Sequence, residues 1–175
     1  VTDDKGCTAT CSVNLMDPGC TLTASTTGTN VSCNGGTDGA ATATAGTPSG
    51  AATYAWSNME TTAVITGLSA GTYTVTITDG AGCTATASYE VTEPVVLGAA
   101  CTSTNPTSVG GSEGTAGVTA SGGTAPYTYE WSNAETTASI TGLTAGAYTV
   151  TVTDDKGCTA TCSVNLMDPG CTLTA

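Results

Sequence analysis

Residues 71–79 read Gly-Thr-Tyr-Thr-Val-Thr-Ile-Thr-Asp, and their alternation decides the fold. Successive side chains of an extended chain point to opposite sides, so Tyr73, Val75 and Ile77 share one face and Thr72, Thr74, Thr76 and Thr78 the other. β-Branched and aromatic residues suit such a half-buried ribbon. Further along, Tyr148, Val150 and Val152 stand against Thr149, Thr151 and Thr153 in the same way. The next run alternates too, with Cys158, Ala160, Cys162, Val164 and Leu166 on one face and Thr159, Thr161, Ser163 and Asn165 on the other. Between these runs, Asp79-Gly-Ala-Gly82 and Asp154-Asp-Lys-Gly157 have the chemistry of hairpin turns. Upstream, Tyr127, Tyr129 and Trp131 line one face of another strand. About seven short strands per repeat, separated by Gly-rich turns, predict an all-β chain of β-sandwiches with almost no helix.

Working outward, Trp56–Pro94 aligns without gaps onto Trp131–Pro169, and Gly35-Gly36-Thr37-Asp38-Gly39 falls on Gly110-Gly111-Ser112-Glu113-Gly114. Residues 1–24 also recur letter for letter as residues 152–175. Together these repeats read as a window on a longer polymer that alternates two related modules, A and B. The expected division is 1–18 as the final strand of a preceding B module, 19–94 as module A, 95–169 as module B, and 170–175 as the start of the next A module. The junctions Glu93-Pro94-Val95 and Asp168-Pro169-Gly170 are short and carry no flexible linker, which predicts stiff rods in series.

Two copies of Leu-x-x-Gly-x-Tyr sharpen the sandwich reading: Leu68, Gly71 and Tyr73, then Leu143, Gly146 and Tyr148. This is the form of a tyrosine corner, whose hydroxyl bonds back to the preceding turn and locks a Greek-key crossover. Trp56 and Trp131 sit where a sandwich needs a central core residue. These eight residues are the expected structural core. The alternative role for the aromatics is a stacking platform for sugar.

Composition narrows the function. There are 14 acidic and 2 basic residues, no His and no Phe, for a net charge of −12. Phosphate binding needs a basic face, so nucleic acid is not expected as a partner. Simple attraction to anionic membranes is disfavoured as well, and no segment reads as a membrane span. An acidic, solvated surface suits a long soluble fibre.

The run Val31-Ser-Cys-Asn-Gly-Gly-Thr-Asp-Gly39, then Tyr54-Ala-Trp56-Ser-Asn58, the Leu-x-x-Gly-x-Tyr strand, and Thr78-Asp79-x-x-Gly82-Cys83 resembles the SprB-type repeat of giant secreted surface proteins of gliding Bacteroidetes. Gly122-Gly-Thr-Ala-Pro-Tyr-Thr-Tyr-Glu-Trp131 is similar to another of that family's motifs. The chain departs from the pattern at Ser108, where a Cys is expected, and at Pro48–Ala52. The resemblance implies tandem Ig- or PKD-like Greek-key sandwiches, a secreted or cell-surface location, and roles in adhesion and gliding. It supplies no catalytic residue.

Nine cysteines are present, but Cys7, Cys11 and Cys20 are repeated as Cys158, Cys162 and Cys171. One period therefore holds six distinct cysteines, compatible with three disulfides and an oxidising setting. The expected pairs are Cys33–Cys83, which the resemblance implies; Cys101–Cys158, with Cys101 replacing the partner lost at Ser108; and Cys162–Cys171, equivalent to Cys11–Cys20, which would staple one module to the next across Asp168-Pro169-Gly170. Cys33 reaching Cys158 of the following module is the open alternative, because the turns of Cys33 and Cys83 lie at opposite ends of an Ig-ordered sandwich.

Asp79 and Asp154 are expected to cap hairpin amides. A calcium site using Asp38, Asp154 or Asp155 is the less favoured reading. With no His there is no standard triad, and no cofactor or enzymatic activity is expected. The favoured function is the shaft of a long extracellular filament or adhesin, its main partner being itself in series. A carbohydrate-binding array contacting surface glycans is the alternative, and it requires coplanar Tyr rings on one accessible face.

Overall fold

Thr, Val and Tyr at alternating positions form strands throughout the computed structural model, which describes residues 19–170. These are β1 (Thr23–Thr29), β2 (Gly39–Gly46), β3 (Thr53–Trp56), β4 (Val64–Leu68), β5 (Gly71–Thr78) and β6 (Thr84–Val91). The same series follows as β7 (Gly98–Thr104), β8 (Gly114–Ser121), β9 (Thr128–Trp131), β10 (Ser139–Leu143), β11 (Gly146–Thr153) and β12 (Thr159–Leu166). No helix occurs among the described residues. Each repeat thus forms six strands rather than the expected seven. Segments 30–38, 47–52 and 57–63, rich in Gly, Asn, Pro and Ser, turn instead of pairing.

The strands make four three-stranded sheets, ordered β1-β2-β4, β3-β5-β6, β10-β8-β7 and β12-β11-β9. The chain divides into two compact units. One contains 43–63 and 74–88 with the described residues up to 26. Within it β3 pairs antiparallel with β5, from Thr53 opposite Thr78 to Trp56 opposite Val75. Its buried apolar residues are Leu22, Ala43, Trp56, Val75, Ile77 and Cys83.

The other unit contains 27–42, 64–73 and the chain from 89 onward. Here β2 pairs with β4, Ala41 opposite Ile65. The second repeat lies wholly in this unit as a two-layer sandwich. Ala116, Val118, Ile140 and Leu143 come from one sheet, and Trp131, Val150, Val152 and Leu166 from the other; together they form one core. Complete burial of each of the larger side chains contributes roughly 1.5–3 kcal/mol. Hairpin β11–β12 is in continuous register from Gly146 opposite Leu166 to Thr153 opposite Thr159. That register puts Cys162, Val164 and Leu166 on the inward face, as the alternation required.

The crossover between sheets is the tyrosine corner. Tyr73 donates its hydroxyl proton to the Ser69 carbonyl at 3.2 Å, and Tyr148 does the same to Thr144 at 3.2 Å. Trp56, Trp131, Leu68 and Leu143 are buried, whereas Tyr73 and Tyr148 are half-buried. Gly71 and Gly146 are not core residues: Gly71 is exposed and Gly146 half-buried. Their contribution is conformational, with φ of +155° and +154° where the chain leaves one sheet for the other, a region open chiefly to glycine.

Candidate functional site

A densely bonded polar turn follows β11. The Asp154 carboxylate accepts N–H bonds from Lys156 and Cys158 at 2.9 Å each through one oxygen. Its other oxygen accepts from Thr124 at 2.8 Å. Burial pushes the Asp154 pKa up, but the backbone donors Thr124, Cys158, Lys156 and Gly157 outweigh it and hold the carboxyl below its ordinary value. Asp79 repeats the arrangement with Ser49 at 2.9 Å, Ala81 at 3.0 Å and Cys83 at 2.9 Å. The Ser49 amide is the main cause of its lowered pKa, acting against burial. Both aspartates cap their own hairpin, as the sequence suggests. Each also ties down a loop about thirty residues upstream, a partnership that no local pattern announces.

Against the Asp154 turn stands the loop 30–38, also in the second unit. Gly36 N–H bonds to the Cys33 carbonyl at 2.9 Å, and Ser32 N–H to Asp38 at 2.9 Å. The Ser32 hydroxyl and amide bonds lower the Asp38 pKa. The loop is anchored on the segment after β6. Thr92 N–H bonds to the Asn30 side chain at 3.0 Å, Gly35 N–H to Glu93 at 2.7 Å, and the Asn34 amide to the Pro94 carbonyl at 3.1 Å. Thus held, Cys33 forms a disulfide with Cys158, their Cα atoms 5.7 Å apart. The Cys158 sulfur also lies 3.4 Å from the Ser32 carbonyl oxygen. With no thiol proton to donate, that approach is a packing contact.

The structure pairs Cys20 with Cys83, Cys33 with Cys158, and Cys101 with Cys162. None of the three favoured pairings forms, and the open alternative for Cys33 does. The Cys33 loop is bonded to Thr92–Pro94, beyond the end of β6, whereas Cys83 precedes its start. A strand of that length separates its ends by roughly 25 Å. Cys83 is taken by Cys20 instead, which also replaces the Cys11–Cys20 pairing. Cys101 lies midway along β7 opposite Cys162, four residues and ~13 Å along β12 from Cys158, so it closes the edge between the two sheets. Cys162 is therefore not available to Cys171. Cys7, Cys11 and Cys171, with segments 1–18 and 171–175, lie outside the described residues.

The calcium candidates are not brought together. Both Asp154 oxygens are occupied by backbone amides, and Asp155 pairs with Lys156 at 3.3 Å. Among the described residues no cluster of three or more His, Cys, Asp or Glu could hold a metal. Trp56 and Trp131 are buried, their indole N–H groups bonded to Thr62 and Thr137 carbonyls at 2.9 Å. All six tyrosines are half-buried, and the Tyr127 hydroxyl is bonded to the Gly122 carbonyl at 2.6 Å.

Antiparallel six-stranded repeats, with layered sheets, a tyrosine corner and a buried Trp, define an all-β, Ig-like sandwich protein. The structure is similar to the three N-terminal domains of the bacteriophage RB49 highly immunogenic outer capsid protein (Hoc), with 21% identity and a TM-score of 0.50. The match covers 84% of this chain and 58% of that one, so the chain spans just over half the length of that structure. Amphioxus IgVJ-C2 (18% identity, 66% of this chain and 87% of that one, TM-score 0.33) and murine CEACAM1b (15%, 83% and 100%, TM-score 0.34) match more loosely and add nothing to the assignment. No curated protein matches the chain. Residues 100–136 match the family model described as SprB repeat. That match supports the SprB-type resemblance over β8, β9 and the turns around them. SprB repeats are cell-surface repeats, and three disulfides fit an oxidising, extracellular setting.

Proposed function

We propose that this chain is part of the shaft of a long extracellular or cell-surface filament or adhesin built from tandem SprB-like repeats. In this reading it contributes to attachment or gliding, it has no catalytic role, and its main partner is its own repeat in series. One observation carries the reading: the Cys33–Cys158 disulfide ties a loop of the first repeat covalently to a turn of the second. A linker between independent binding modules needs no such bond, whereas a shaft gains stiffness from it. The half-buried tyrosines and buried tryptophans favour the same reading over a sugar-binding array, which needs open ring faces.

The test is antibody labelling of intact source cells. The expected result is filamentous surface label, removed by protease added outside the cells, with weaker attachment after deletion of the gene. Label that appears only after permeabilisation overturns the proposal.

A further inference from the structure

We infer that the three disulfides make this chain a length-limited tether, able to bear tension with only a short, bounded lengthening even when its sandwiches unfold. The inference takes its biological setting from the shaft reading, but its mechanism follows from covalent connectivity alone. The pairs are interleaved along the sequence: Cys20–Cys83, Cys33–Cys158 and Cys101–Cys162.

Tension applied to the two ends follows the shortest covalent path. From Cys20 the chain runs to Cys33, crosses to Cys158 and continues to Cys162. That route holds about 17 residues, or about 60 Å at ~3.5 Å per extended residue. A second route crosses from Cys20 to Cys83, runs to Cys101 and crosses to Cys162, with about 18 residues. The two routes share no disulfide. Without cross-links the same stretch has about 140 residues, or about 500 Å. An oxidised chain can therefore release less than about 60 Å between Cys20 and Cys162, whatever happens to its hydrogen bonds and core. Loss of any single disulfide leaves one short route intact. The lock opens only when Cys33–Cys158 and one of the other two are both lost.

Ordinary Ig-like sandwiches without such a net lengthen as each domain unfolds, and the freed chain absorbs load. Here load reaches the disulfides instead, so force applied at one end is transmitted to the other after only a short take-up of slack.

The experiment is single-molecule stretching of the full chain between terminal handles. Cys7, Cys11 and Cys171 are replaced by Ser, and the remaining pairs are checked by peptide mapping. Contour length at full stretch is the readout, so a variant that folds poorly still reports. The oxidised chain is expected to show no release above about 60 Å between Cys20 and Cys162. The Cys33→Ser, Cys158→Ser variant should exceed it by only about 10 Å of contour, because the second route, with one more residue and one more disulfide crossing, takes over. Further loss of Cys101 and Cys162 should raise the accessible contour to about 79 residues, more than four times the locked value. A long release in the oxidised chain, a long release after loss of one pair only, or different pairs in the map would overturn the inference. None of these outcomes bears on surface labelling, so the shaft reading stands or falls separately.

Discussion

At the scale of single residues, the sequence announces what local geometry governs. Leu-x-x-Gly-x-Tyr predicts a hydroxyl reaching back to the preceding turn, and both copies do so over four residues. Tyr73→Phe and Tyr148→Phe should each cost about 1 kcal/mol, the net worth of one such bond; no loss at either site in denaturant titrations would remove the corner from the list of stabilising features. Asp79 and Asp154 carry a pH signature. Their carboxyls sit below the ordinary 3.8 in the folded chain, so the stability they contribute is present above that value and is lost as pH falls through the folded pKa. Melting temperatures should drop as pH is lowered below about 4, and the Asp79→Asn, Asp154→Asn variant should show a shallower drop. Equal slopes would mean that other carboxylates set the acid limit. The hairpin caps were legible because their donors are two and four residues away. The Ser49 and Thr124 amides were not, since nothing near Asp79 or Asp154 in sequence marks a loop that only folding brings alongside.

At the scale of elements, period-two alternation located the central strands, because a strand buried on one face leaves its polarity pattern in the sequence. The Ala- and Thr-rich strands β1 and β7 leave a weaker pattern, and the expected strand number exceeds the observed six because segments between the strands turn instead of pairing. The disulfides were the larger gap. Pairing depends on which turn faces which loop after folding, and the Cys33–Cys83 pair that the motif resemblance implied does not form. The repeats also diverge at equivalent positions. Where β7 and β12 are joined by Cys101–Cys162, the first repeat has Thr26, whose hydroxyl donates to the Ser88 carbonyl at 2.7 Å. A 61-residue separation gives a chain-entropy stabilisation of about 4 kcal/mol, several times that of a hydrogen bond. Replacing Cys101 and Cys162 by Ser should therefore lower the second repeat's stability by about 4 kcal/mol, read by urea denaturation. Trp131→Ala should cost about 3–5 kcal/mol through the cavity left between the sheets. A loss under 1 kcal/mol in either case would mean that the sandwich core is not where its stability resides.

At the scale of the whole molecule, all six described cysteines are spent in disulfides. Alkylation of the denatured, unreduced protein should label none of them, and a labelled peptide from any of the six would contradict the pairing. The interleaving of those bonds also imposes a problem of timing. A chain that enters an oxidising compartment amino end first presents Cys20 and Cys33 together, while their partners are still to come, Cys33's own lying 125 residues further on. Two thiols so close in sequence join readily, and Cys158 and Cys162 offer the same shortcut at the other end. The native set is thus the last to become available rather than the first. Maturation must either postpone oxidation until the strands have assembled or correct early bonds by exchange, and a host lacking both should yield a heterogeneous, misjoined product from an otherwise sound gene.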